Sequence, residues 1–288
     1  RRLLNALKAG HGGTLDPMAT GLLPLMFGEA TKFAQDALDA DKTYLAELTL
    51  GVTTDTADAE GQVLQRRPVQ VDEAALQAAC RAFVGDIEQV PPMHSALKRD
   101  GKPLYEYARA GQVLERPARR IRVYRIEPLD FDGERLRIRV SCSKGTYIRV
   151  LAEDIGEALG CGAHLSALRR ERVGSLSIEN AITLEELAGL DEGSAAARLA
   201  PVDALLGDLP EVRLPAAEAD RFSHGQRLRL PTDATHAIPA GMVRVYGPGG
   251  LLGVARLESG VLAPARLVAS GGECSESTPS STSGNPSK

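Results

Sequence analysis

One carboxylate, Asp16, lies in the run Gly10-His11-Gly12-Gly13-Thr14-Leu15-Asp16-Pro17-Met18-Ala19-Thr20-Gly21, between a basic stretch and an apolar one. Gly12 and Gly13 admit backbone angles closed to other residues, and Pro17 fixes the chain immediately after the acid. Pro17 also steers Asp16 away from helical angles, onto extended or turn backbone. A carboxylate aimed from such a loop can serve as a nucleophile. The competing role is local, with the Asp16 side chain capping a turn through its own oxygen.

The elements around this loop follow from periodicity. Arg1–Lys8 read as the last turns of a helix stopped by Gly10. From Glu29, the spacing of Ala30, Phe33, Ala34, Ala37 and Leu38 predicts a helix. Thr43 to Leu50 alternates, which places Tyr44, Ala46, Leu48 and Leu50 on one face of a strand. Asp72 caps a second helix with the stripe Leu76, Ala79, Cys80 and Phe83. Strands over 119–126 and 135–142 join near Asp132-Gly133, a hairpin signal. A third helix opens at Gly145-Thr146 with Ile148, Leu151, Ile155 and Leu159 buried. Thr183 and Glu186 form a capping box for a short helix. Past Leu214 the pattern changes to short strands over 226–230, 242–246, 251–256 and 261–267, which predicts a small β-barrel.

A chain of 288 residues predicts one large domain and a smaller one, and its 43% hydrophobic content is enough for a sizeable core. No run reaches the length of a membrane span and no basic-then-apolar leader opens the chain, so a cytoplasmic protein is expected. Cys80, Cys142, Cys161 and Cys274 lie far apart with no Cys-x-x-Cys pair, which argues against a zinc site or disulfide framework and for reduced thiols. No Gly-x-x-x-x-Gly-Lys-Ser/Thr occurs, so a phosphate-loop NTPase is excluded. The net charge of −4 conceals a local excess, since Arg116, Arg119, Arg120, Arg122, Arg125, Arg135, Arg137 and Arg139 crowd the predicted hairpin. Such a cluster either attracts phosphates or makes a solvated strand face.

The Asp16 loop resembles, nearly letter for letter, the catalytic loop of the bacterial tRNA pseudouridine(55) synthases. Four further segments fall in the order found in that family: Asp41-Lys42-Thr43-Tyr44, Pro91-Pro92-Met93-His94-Ser95-Ala96-Leu97-Lys98, Ser143-Lys144-Gly145-Thr146-Tyr147-Ile148-Arg149 and Gly160-Cys161-Gly162-Ala163-His164-Leu165-Ser166-Ala167-Leu168-Arg169-Arg170. His94 departs from the tyrosine common in its context. The likeness is strong over about residues 1–180 and weaker beyond.

The resemblance implies an α+β pseudouridine synthase fold, a mixed, largely antiparallel sheet flanked by helices, with a small C-terminal PUA-like β-barrel. It divides the chain into a catalytic domain over 1–180, a connecting segment over 181–213, an RNA-binding domain over 214–270 and a disordered tail over 271–288. It also implies that the chain begins inside a longer protein. The implied reaction breaks the N1–C1′ bond of a T-loop uridine in tRNA, turns the base and rejoins it through C5, with no cofactor and no metal. Asp16 takes the nucleophile's role and Arg149 pairs with it, lowering its pKa. Tyr44 stacks on uracil, and its hydroxyl can take part in proton movement. Leu168 packs on the target base and His11 fills the stack left by the extruded nucleotide. Lys98, Lys144 and the arginine hairpin are candidate phosphate partners. The implied partner is the tRNA T-arm, with no membrane and no obligatory protein partner, and the protein is expected to be a monomer. Two rivals are an RNA-binding or tRNA-folding module, and a variant that works inside a guide-RNA complex.

Overall fold

The computed structural model of the chain describes residues 2–231 and 238–269. The chain divides into two compact units between Asp208 and Leu209. Residues 181–208, read from sequence as a connecting segment, fold with the first unit, where Ser175 Oγ donates to Ala204 O at 2.6 Å. The tail expected to be disordered, and Cys274 within it, lie outside the described residues.

The chain starts with a 3₁₀ turn over Arg2–Leu4, then the short strands β1 (Ala9–His11), β2 (Thr20–Gly21) and β3 (Leu25–Phe27). The helix expected over 1–8 is therefore a single turn. β1 and β3 pair antiparallel, so residues 12–24 close into a loop carrying Asp16. The helix expected from Glu29 begins as a 3₁₀ turn, Gly28–Phe33, and becomes α-helical only as α1 (Ala34–Asp39). β4 (Lys42–Leu50) follows the predicted alternation, with Ala46, Leu48 and Leu50 buried. The hairpin of β5 (Val52–Thr54) and β6 (Val63–Arg66) leads to α2 (Glu73–Ala82), whose N-cap Asp72 accepts from Ala75 N at 2.7 Å. Then come β7 (Gly85–Gln89), the small hairpin β8 (Lys98–Arg99) and β9 (Lys102–Pro103), and α3 (Leu104–Arg109).

β10 (Arg119–Phe131) and β11 (Arg135–Cys142) form the arginine hairpin. β10 outruns its expected end at Ile126 because Pro128 lies beyond the β7 pairing, which stops at Val123, and beside a bulge. A missing N–H is tolerated at such an edge. α4 (Ile148–Ala158) buries Ile148, Leu151, Ala152 and Ile155, and β12 (Ala163–Val173) and β13 (Leu176–Ser177) follow. The main sheet runs β13-β12-β4-β11-β10-β7, antiparallel throughout, with β2 added parallel to β12. Its core joins Leu48, Ile138, Leu151, Ile155 and Leu165. Full burial of each such side chain contributes about 1.5–3 kcal/mol. Two short helices, α5 (Leu184–Ala188) and α6 (Glu192–Ala196), complete the unit, α5 with the expected Thr183–Glu186 capping box.

The second unit holds β14 (Glu211–Arg213), α7 (Ala216–Ser223), β15 (Leu228–Arg229), β16 (Gly241–Gly247), β17 (Gly250–Glu258) and β18 (Val261–Leu267). They form one sheet, ordered β14-β16-β17-β18-β15, which curls as a half-barrel consistent with a PUA-like domain. Phe222 of α7 packs into its own core with Val243, Val245 and Leu262.

Candidate active site

The Asp16 loop is shaped by glycine where side chains would collide. Gly13 has φ +102°, and a Cβ at Gly12 would come within 2.5 Å of the Ala37 Cβ. Past Pro17 the chain turns, with Ala19 N donating to Asp16 O at 2.9 Å. Met18 and Ala19 then pack against the core that includes Tyr44 and Leu168. The Asp16 side chain does not cap this turn. Its Oδ1 accepts from Arg149 Nη2 at 2.6 Å, 133 residues away in sequence.

Arg149 occupies the second position of α4. The start of that helix is held by Gln89 of β7, whose amide accepts from Tyr147 N at 2.8 Å and donates to Tyr147 O at 3.1 Å. A cation in a first turn opposes the helix dipole, so the guanidinium needs anions close by. It has two. Nη1 donates to Asp58 Oδ2 at 3.3 Å, and the Arg149 and Asp58 side chains are only 5% and 4% exposed, against 35% for Asp16.

Asp58 was not singled out by sequence reasoning. It lies in the Thr-rich turn after β5, where Thr56 Oγ1 and Glu60 N donate to its Oδ1 at 2.6 and 3.1 Å. The turn is bound to β12 by reciprocal hydrogen bonds, Leu165 N to Ala57 O and Ala59 N to Leu165 O. The single cue in sequence was the run Thr53-Thr54-Asp55-Thr56-Ala57-Asp58, which looks like ordinary turn chemistry.

Electrostatics correct one expectation. The pairing with Arg149 was expected to lower the pKa of Asp16, yet it is raised from 3.8. Burial is the largest cause; Arg149 pulls the other way, and the Asp58 charge adds to the rise.

Tyr44 points from β4 toward this cluster, and burial pushes its hydroxyl up to about 12, with Arg170 acting to lower it and Asp16 to raise it. Leu168 of β12 is 8% exposed, pairs with Ala46 and accepts at its carbonyl from Thr20 Oγ1 at 3.4 Å, which ties it to the Asp16 loop. Asp16, Arg149, Tyr44 and Leu168 thus share one site. His11 is exposed on β1, opposite Leu25. Neither lysine joins the cluster by a hydrogen bond or ion pair among the described residues. Lys98 is exposed on β8, and Lys144 pairs with Asp39 at 2.9 Å. His94 lines a cavity of about 630 Å³ together with Glu88, Arg116, Glu153 and Asp154, bordered by Thr56 of the Asp58 turn and by Gln89. No group of three or more His, Cys, Asp or Glu among the described residues is arranged to hold a metal ion.

A model of the TruB family pseudouridylate synthase N-terminal domain matches residues 1–148. The chain belongs to the TruB family. Models of the tRNA pseudouridylate synthase B C-terminal domain and of the pseudouridine synthase II TruB C-terminal region match residues 149–207 and 210–268. A tRNA pseudouridine synthase B of Ralstonia pickettii (strain 12J) is 61% identical, with 93% of this chain and 87% of that protein covered. One from Burkholderia mallei (strain NCTC 10247) is 60% identical, over 94% and 91%. Among solved structures, a chain of a Cbf5-Nop10-Gar1 complex is 28% identical with TM-score 0.69, covering 93% of this chain and 77% of that one. A chain of an H/ACA RNP bound to a substrate RNA containing 2′-deoxyuridine is 26% identical, also with TM-score 0.69, over 93% and 78%. The TruB likeness thus spans both units, and the chain is a pseudouridine synthase of the isomerase class.

Proposed function

We propose that the chain converts a T-loop uridine of tRNA to pseudouridine, with Asp16 attacking the flipped-out nucleotide. The observation that carries this reading is the Asp16–Arg149–Asp58 cluster, buried at Arg149 and Asp58 and open to solvent at Asp16, beside Tyr44 and Leu168. Rearranging uridine requires no redox change, so a nucleophile, an extruded base and a final proton acceptor suffice. Asp16 supplies the first and Tyr44 a stacking face with a hydroxyl. His11 fills the gap left in the RNA, while Lys98, Lys144 and the arginine hairpin contact phosphates. Residues 1–180 form the catalytic domain and 214–270 widen the RNA contact. The protein works in the cytoplasm as a monomer, without cofactor or protein partner. The decisive experiment incubates purified parent and Asp16→Asn protein with unmodified tRNA transcript and maps pseudouridine by carbodiimide-stop sequencing. The parent is expected to modify one T-loop position unaided, and Asp16→Asn to bind the tRNA without turnover. Turnover by Asp16→Asn removes the nucleophile assignment.

A second reading, action only within a guide-RNA complex, draws on the likeness to chains in the Cbf5-Nop10-Gar1 and H/ACA assemblies. Activity on naked tRNA without added protein decides against it.

A further inference from the structure

Arg170 of β12 is a cation in the interior, with a relative exposure of 2%. No carboxylate among the described residues forms an ion pair with it. Nε donates to Leu22 O at 2.8 Å and Nη2 to Gly13 O at 3.2 Å. These carbonyls lie on opposite flanks of Asp16, so one guanidinium spans the loop that presents the acid. The Arg170 backbone holds the same loop, since Leu22 N donates to Arg170 O at 2.8 Å and β2 pairs with β12 at Gly21–Arg170. The approach is too close for a side chain: a Cβ at Gly21, where φ is +102°, would lie 2.3 Å from Arg170 O.

Across the sheet, Arg170 is the direct partner of Tyr44 in the β12–β4 ladder. Cross-strand partners send their side chains to the same face, about 4.5–5.5 Å apart at Cβ. The guanidinium thus shares a face with the Tyr44 ring, near enough to act on its hydroxyl and favour the ionised form. A cation beside a phenol eases the passage of its proton to another acceptor. Stability alone is a poor reason for this residue, because an unpaired buried cation is costly and neutral donors can satisfy two carbonyls more cheaply.

We propose that Arg170 is a positioning residue for the isomerisation, tying the Asp16 loop to the Tyr44 hydroxyl so that nucleophile and phenol keep a fixed separation. This rests on the roles given above to Asp16 and Tyr44. Arg170→Gln and Arg170→Lys are made in the parent and in Tyr44→Phe, and single-turnover rates with saturating unmodified tRNA, tRNA affinity and melting temperature are measured. In the parent background Arg170→Gln slows turnover by about tenfold to a hundredfold, with Arg170→Lys recovering part of the rate. In Tyr44→Phe the further loss is smaller than in the parent, since the hydroxyl is gone and only the Arg170 contacts to the Asp16 loop remain to be lost. Affinity for tRNA stays unchanged in both backgrounds. An equal fold-loss in the two backgrounds, an unchanged rate, or failure of both Arg170 variants to fold overturns the proposal. Asp16→Asn, assayed alongside, keeps the two levels apart. Its turnover would remove the underlying reading, whereas its inactivity with multiplying Arg170 and Tyr44 effects removes only the role of Arg170.

Discussion

Replacing Arg149 by Met leaves two carboxylates facing each other without their cation. Asp58 carries most of the consequence, because its side chain is 4% exposed while Asp16, at 35%, is partly screened by water. Removing one partner of a buried ion pair costs about 3–5 kcal/mol, most of it the penalty of an uncompensated charge. For a unit the size of the one ending at Asp208, each kcal/mol shifts the melting temperature by about 2–4 °C. The expected fall near neutral pH is therefore about 6–20 °C. The deficit also has a sign in pH. A carboxylate whose folded pKa is raised keeps full stability below its unfolded value, 3.8 for Asp16, and loses it as pH rises through the folded value. Acidification toward that value lets Asp16 take up a proton, relieves the repulsion between the two carboxylates and narrows the gap. Thermal melts of parent and Arg149→Met at pH 7.5 and 5 test this. A gap of under about 3 °C at pH 7.5, or one that fails to narrow at pH 5, would refute the reasoning.

Asp58→Asn removes the charge that helps raise Asp16, so the acid limb of the single-turnover rate moves to lower pH; an unmoved limb means Asp16 does not feel Asp58. Tyr44→Phe retains the stacking face, so tRNA affinity survives while the rate falls about 10²–10⁴-fold if the hydroxyl moves a proton, and Tyr44→Ala loses about 1–3 kcal/mol of stacking. Equal rates for Phe and parent would leave Tyr44 as a platform only. In the hairpin, Arg139 is neutralised by Glu171 at 2.9 Å, whereas Arg135 and Arg137 have no ion pair among the described residues. Replacing Arg135 and Arg137 by Gln should reduce the salt slope of tRNA binding by about one unit each, and Arg139→Gln by less. A slope unchanged from the parent would assign the arginines to a solvated face.

The parts of the site legible in sequence are those fixed by local backbone rules. Glycines and Pro17 announced the Asp16 loop, and alternation placed Tyr44 on the buried face of β4 before any contact was known. What stayed hidden depends on pairing across long separations. Asp58 meets Arg149 only because its turn is bound to Leu165, more than a hundred residues on. Lys42, just before the predicted strand, is 8% exposed and donates to Ala37, Leu38 and Ala40 carbonyls, closing the C-terminal end of α1. Burial lowers it to about 8, a structural use that charge patterning does not distinguish from a surface lysine. Lys144, read as a phosphate partner, is engaged by Asp39 because α1 ends beside it, and α1 itself was misjudged in length. The N-terminal helix failed for a simpler reason. Only the turn Arg2–Leu4 forms, and the backbone just after this stretch, Ala9–His11, is drawn into the ladder with β3.

The sharing of Arg149 between two acids has a chemical consequence that a simple ion pair would lack. A carboxylate that forms a covalent bond through oxygen loses its charge, and a buried guanidinium paired with it alone would then be stranded. Here Asp58 remains, held by Thr56 and the Glu60 amide, so the cation stays compensated whether Asp16 is free or engaged. Burial, with the Asp58 charge adding to it and Arg149 opposing it, raises Asp16 above an ordinary carboxylate, which suits the nucleophile's role proposed for it. In the proposed reaction, burial and Asp58 would act together, one raising the reactivity of Asp16 and the other keeping Arg149 in place once the Asp16 charge is spent.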